Sequence, residues 1–179
     1  MLKEYFNDLA AYNSWADQKA MDWLCQITDE QWEQTNVSSF SSIRQTAVHI
    51  ASAEKIWIDF WTQAADPVYL SANFTGSRNE LLRIWKTASN GLETYIKSHP
   101  EEELGQSVRF IYPNGNTGQM PYYQTFAHIV NHSTYHRGQL VTLLRQAGYN
   151  QFSSIDLATY YIQREKKSNT KNEHPFICV

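Results

Sequence analysis

The chain has 179 residues, which fits one compact domain at about 150 residues per domain and leaves length for a sizeable apolar core. Hydrophobic residues make up 42%, aromatics 14% and charged residues 18%, a balance that excludes an intrinsically disordered chain. Lys and Arg number 15 against 18 Asp and Glu, for a formal charge of −3, and no basic run precedes the tail, so the electrostatic footprint of a nucleic-acid binder is missing.

No Gly or Pro occurs before Pro67, so helices are expected to dominate the first third. From Leu2 to Ile27 the residues Leu2, Tyr5, Leu9, Tyr12, Ala16, Ala20, Trp23 and Ile27 recur at steps of three and four and predict one long amphipathic helix. Thr28 with Gln31 has capping-box spacing and predicts a short helical turn over 29–34. Ser42 with Gln45 opens a second long helix with two apolar stripes, one of Ile43, Ala47, Ile50, Trp57 and Trp61, the other of His49, Ala53, Ile56 and Phe60. Ser77 with Glu80 opens a third, carrying Leu81, Trp85, Ala88, Leu92 and Tyr95 or Ile96 up to Pro100.

Val108 to Tyr112 is β-branched and aromatic, and Pro113-Asn114-Gly115-Asn116 is a turn sequence, which predicts a small hairpin returning toward Met120. Pro121 suits the first turn of a fourth long helix with Phe126, Ile129, Ser133, His136, Leu140, Leu143 and Ala147 on one face and Gly148 as its stop. A short packing helix over 155–163 and a polar, fraying stretch from Arg164 follow. The expected architecture is an all-α four-helix bundle over 1–165 with a small hairpin before its last long helix, and a polar tail over 166–179. The six Trp fall mostly on predicted stripes and are read as core. Cys25 and Cys178 are expected to be reduced thiols. The start of the chain lacks the pattern of a signal peptide, and no apolar run approaches the roughly 20 residues of a membrane span, so a cytoplasmic protein is expected.

Chemistry concentrates in the fourth helix, where His128, His132 and His136 are spaced i, i+4, i+8. Positions four apart differ by about 40° around a helix, so His132 and His136 can reach one ion together. The preferred third ligand is His49 on the second helix; the alternative is His128, whose ring is carried about 80° from His136. Three neutral imidazoles would hold a divalent ion facing the bundle interior and leave a position open for water or substrate. His128 is then a candidate hydrogen-bonding neighbour, whereas His99 and His174 are incidental. Arg137 is either a contact for an anionic substrate or a solvated or ion-paired surface residue. A metalloprotease helix would carry Glu after its first His, and Ser133 stands there instead. No Gly-rich phosphate loop, Cys-x-x-Cys pair or nucleophile elbow is present.

Tyr12-Asn13-Ser14-Trp15-Ala16, His49 with Glu54 and Trp57, and His132-Ser133-Thr134-Tyr135-His136-Arg137-Gly138-Gln139 together resemble the DinB-like (DinB/YfiT) family. The resemblance implies an up-down four-helix bundle, a metal ion, zinc or nickel, held by His49, His132 and His136, and homodimers. Tyr135 departs from a frequent second His before the Arg, at a position that is not a ligand. The family includes thiol S-transferases that use bacillithiol or mycothiol, a maleylpyruvate isomerase and damage-inducible proteins. The first expectation is therefore a metal-dependent transferase that joins a low-molecular-weight thiol to a small electrophile. The second is a non-catalytic metal-binding or stress-response module. Direct DNA binding conflicts with the acidic balance.

Overall fold

Helix α1 spans Leu2–Leu24, α2 Asp29–Glu33, α3 Ile43–Trp61, α4 Leu70–Asn73, α5 Arg78–Ser98, α6 Tyr122–Gln146 and α7 Leu157–Asn172; strands β1 (Ser107–Ile111) and β2 (Thr117–Pro121) lie between α5 and α6. The structure is a computed structural model that describes the backbone of residues 1–172 and the side chains of residues 1–166. His174 and Cys178 lie outside the described residues, as does the tail beyond 172. The predicted caps set the helix starts. Thr28 and Gln31 form a reciprocal capping box, Ser42 Oγ accepts from the Gln45 N–H at 3.1 Å, and Ser77 Oγ accepts from the Glu80 N–H at 3.2 Å. Each such bond satisfies an orphan donor and contributes about 1 kcal/mol. Gly148, at φ +89°, ends α6 as expected, with the Tyr149 N–H reaching back to the Leu144 carbonyl at 2.9 Å.

Four long helices form the bundle, α1 and α3 each packing against both α5 and α6. The Trp61 indole donates to Thr125 while His49 meets His132 and His136, so α3 and α6 are antiparallel. Phe6 packs on Phe126 and Asp17 pairs with Arg137, so α1 and α6 run the same way. Trp61 stacks on Tyr95, and Arg44 reaches the Gly76 carbonyl, so α3 and α5 also share a direction. In chain order the helices run up, down, down, up. The parallel α3–α5 pair requires the connection over 62–77 to travel back the length of α3, about 28 Å for its 19 residues. It does so in contact with α3: Tyr69 against Phe60, the Ser71 N–H donating to Ser52 Oγ at 3.0 Å, then Gly76 beside Arg44. Helix α4, with no apolar period to announce it, sits in this return.

The hairpin has the predicted turn. Val108 pairs with Met120 and Phe110 with Gly118, the Tyr112 N–H meets the Asn116 carbonyl at 2.7 Å, and Gly115 takes φ +84°. Gly118 is required by contact, since a Cβ there would lie 2.4 Å from the Phe110 ring.

Apolar side chains form two clusters. One gathers Phe6, Leu9, Trp57, Trp61, Leu92 and Phe126 near the hairpin; the other gathers Trp23, Leu24, Ile43, Leu81, Trp85 and Leu140 at the opposite end. Burial of each large side chain contributes about 1.5–3 kcal/mol. Five of the six Trp are buried, as expected. The α1 stripe shifts by one residue at its start: Leu2 and Tyr5 are exposed and Phe6 is buried. Tyr5 and Phe6 are both apolar, and the packing position beside Phe126 decides between them. Helix α7 continues past the expected fraying point at Arg164 to Asn172; the stretch holds no Gly or Pro and carries helix-favouring Arg164, Glu165 and three Lys. Arg164 Nη1 is 2.5 Å from Asp8 Oδ1 of α1. Among the described residues no helix is long and apolar enough to cross a membrane.

Candidate metal centre

His49 lies in the second turn of α3, and His132 and His136 lie one turn apart on the antiparallel α6. The packing of these two helices brings the three rings together. His49 Nε2 is 3.0 Å from His132 Nε2 and 3.1 Å from His136 Nε2, and three ligating nitrogens, one per ring, lie within 4.8 Å of one another. A tetrahedral zinc with Zn–N bonds near 2.0–2.1 Å separates its nitrogens by about 3.3 Å, and the two His49 pairs lie within a few tenths of an ångström of that spacing. Among the described residues no fourth His, Cys, Asp or Glu joins the group.

The electrostatics favour metal-ready rings. Burial and the neighbouring His136 hold the His49 imidazole down to about 4; burial, then His136, His49 and His128, hold His132 down to about 3. Burial also lowers His136, partly opposed by its bond to Gln139. All three are neutral at neutral pH, which is the form that coordinates. The donor set, three neutral imidazoles converging on one point, fits a divalent metal ion.

The rings do not face the bundle interior as expected. They line the seam between α3 and α6, with His136 nearly covered and His49 and His132 half-buried. The interior at that level is filled by polar side chains. Arg137 is fully buried, its Nη1 2.6 Å from Asn13 Oδ1 and 2.7 Å from Asp17 Oδ1, and its Nη2 donates to Thr134 at 2.9 Å. Asn13 Nδ2 donates to Asp17 and to Glu54, each at 2.8 Å, and Ser89 and Ser133 donate to Asp17 and Glu54 respectively, again at 2.8 Å. This corrects the expectation for Arg137: it neither reaches solvent nor waits for a substrate, because one i+1 step from His136 turns it about 100° into the core. Burial, then the adjacent Asp17, raises the Glu54 carboxyl well above the usual range, and the ion pair of this layer is Arg137–Asp17.

His128, offered as a ligand alternative or hydrogen-bonding neighbour, does neither: its ring is exposed, packs against Trp57 at 5.3 Å and lies 5.8 Å from the His132 ring. His99 stays outside the site but is buried, packed on Tyr122 and Phe126. Three neighbours of the triad escaped the sequence reading. Gln139 Oε1 lies 2.7 Å from His136 Nδ1, Gln139 Nε2 donates to Ser39 Oγ at 3.0 Å, and the Phe40 ring covers His49 at 4.3 Å and His136 at 5.6 Å. The signal for Gln139 was its i+3 spacing from His136; Ser39 and Phe40 lie in a loop with no pattern to read.

The comparisons agree with the fold. The chain is 27% identical over 154 residues to Protein DinB of Bacillus subtilis, covering 83% of this chain and 89% of that protein. Its fold is similar to a DinB-like protein from Bacillus cereus, at 18% identity and TM-score 0.61 over 78% of this chain and 90% of the other. It is also similar to a protein assigned to the DinB family from Exiguobacterium sibiricum, at 15% identity and TM-score 0.59 over 87% and 97%. The sequence profile of the DinB family matches residues 1–168. The chain is therefore a member of the DinB family.

Proposed function

We propose that His49, His132 and His136 hold one divalent ion, zinc or nickel, and that the site catalyses transfer of a low-molecular-weight thiol to a small electrophile. The observation that carries this reading is the convergence of three neutral imidazole nitrogens with no fourth protein ligand among the described residues. A divalent ion so bound lowers the pKa of a thiol that takes the open position. The chain's own part is to keep the imidazoles neutral and aimed, and to add no anionic ligand that would lower the site's charge. Phe40 shields one side of the triad from water. In the reaction a bond forms between sulfur and the electrophilic carbon, the leaving group departs with its bonding pair, and the thiol proton passes to solvent.

The test is metal-dependent consumption of several low-molecular-weight thiols in the presence of a chloroarene electrophile. Turnover by the loaded protein and none by a His49→Ala, His132→Ala, His136→Ala variant is expected. A loaded protein that turns over no thiol overturns the transferase reading in favour of a non-catalytic metal module.

A further inference from the structure

We infer that Gln139 is the positioning residue of the metal centre: it holds His136 in the tautomer whose lone pair faces His49 and His132, and it is held in turn by Ser39, which couples the loop of residues 34–42 to the triad. The inference rests on the reading of the triad as a metal site.

A glutamine amide has one end that only accepts and one that only donates. Gln139 Nε2 donates to Ser39 Oγ, so Oε1 is the atom that faces His136 Nδ1 at 2.7 Å. An amide oxygen carries no hydrogen; Nδ1 must therefore carry the ring proton, and Nε2 of the neutral ring is left as a lone pair. That lone pair points to the shared centre, 3.1 Å from His49 Nε2. The reversed amide would favour the other tautomer, with a hydrogen on Nε2 where the ion must sit. His132 has no comparable support, since its buried Nδ1 lacks a partner.

Ser39 ties the far end of that amide to the loop, its Oγ accepting from Nε2 at 3.0 Å. Its neighbour Phe40 packs on both His49 and His136, so the same loop fixes the amide and covers the rings. A ligand that shifts this loop releases Gln139 and Phe40 together. Metal ligands held through their second ring nitrogen in this way lose roughly 10–100-fold in affinity when the outer partner is removed.

The experiment compares wild type with Gln139→Leu, Gln139→Glu and Ser39→Ala. Imidazole nitrogen shifts of the metal-free protein at neutral pH report the His136 tautomer, and competition with a chromophoric chelator reports zinc affinity. Wild type is expected to show the Nδ1–H form. Gln139→Leu loses that preference and roughly 10–100-fold in affinity. Gln139→Glu, which still accepts from Nδ1–H, restores both, and Ser39→Ala gives a smaller loss in the same direction. Gln139→Leu with a wild-type tautomer and affinity overturns the assignment; Ser39→Ala indistinguishable from wild type overturns the coupling to the loop. A wild type that binds no zinc sinks the metal reading alone, because the tautomer measurement decides the role of Gln139 without metal.

Discussion

His136 and Arg137 are consecutive on α6, but one faces a seam with its ring nitrogen free for an ion and the other lies at 0% exposure with its charge matched by Asp17. The two environments differ in how they are closed. In the polar layer Asn13, Asp17, Glu54, Ser89, Ser133, Thr134 and Arg137 hydrogen-bond one another across all four long helices and separate the two apolar clusters. In the seam the three imidazoles have no counter-ion, and only His136 is braced through its second nitrogen. The layer fixes the relative positions of α1, α3, α5 and α6, whereas the seam leaves three converging imidazoles without such closure. Fixing α3 against α6 is also what holds His49 opposite His132 and His136, so the closed region positions the open one.

Arg137→Ala breaks this comparison most severely. It leaves Asp17 buried without its cation, at a cost of about 3–5 kcal/mol, visible as a lower urea midpoint and, through displaced helices, as weaker metal binding. A loss under about 1 kcal/mol would mean that the layer does not hold the bundle.

The pH response of the metal-free protein separates the two regions next. His49 and His132 titrate near 4 and 3 when folded, below the usual value of about 6.5 when unfolded. The unfolded chain therefore binds more protons between these values, and their contribution to stability is complete above about 6.5 and lost as pH falls through about 4 and 3. The triple His variant should show a shallower acid limb in urea unfolding than wild type. Identical limbs would mean that the rings are not desolvated.

Glu54→Gln should have the smallest effect. A neutral amide can keep accepting from Asn13 and Ser133 while replacing a carboxyl whose charged form burial disfavours. Because the folded value is raised, wild-type Glu54 favours folding below about 4.5 and loses that contribution as pH rises toward its folded value. The variant should match wild type at acid pH, within about 0.5 kcal/mol, and lose less stability than wild type as pH rises above about 4.5. A marked loss near neutral pH would show that Glu54 is charged in the core.

Much of this was readable from local chemistry. Caps at Thr28, Ser42 and Ser77, the turn at 113–116, the stop at Gly148 and the stripes of α3, α5 and α6 follow from rules that act within a few residues, and His49, His132 and His136 stood out by spacing and helix face. What escaped depends on neighbours distant in sequence. Asn13, Asp17 and Arg137 are polar residues whose burial only their mutual pairing allows. The triad's seam position follows from that filling of the interior. Likewise Ser39 and Phe40 reach the site through a loop whose course no pattern encodes, and the return of 62–77 along α3 sets helix directions that stripe patterns leave undefined.

The most direct test of the central claim is the metal content of the protein purified without a His tag, set beside the His49→Ala, His132→Ala, His136→Ala variant. One divalent ion per chain in the wild type and none in the variant is the predicted result. Equal content in both, with the variant folded, would contradict it.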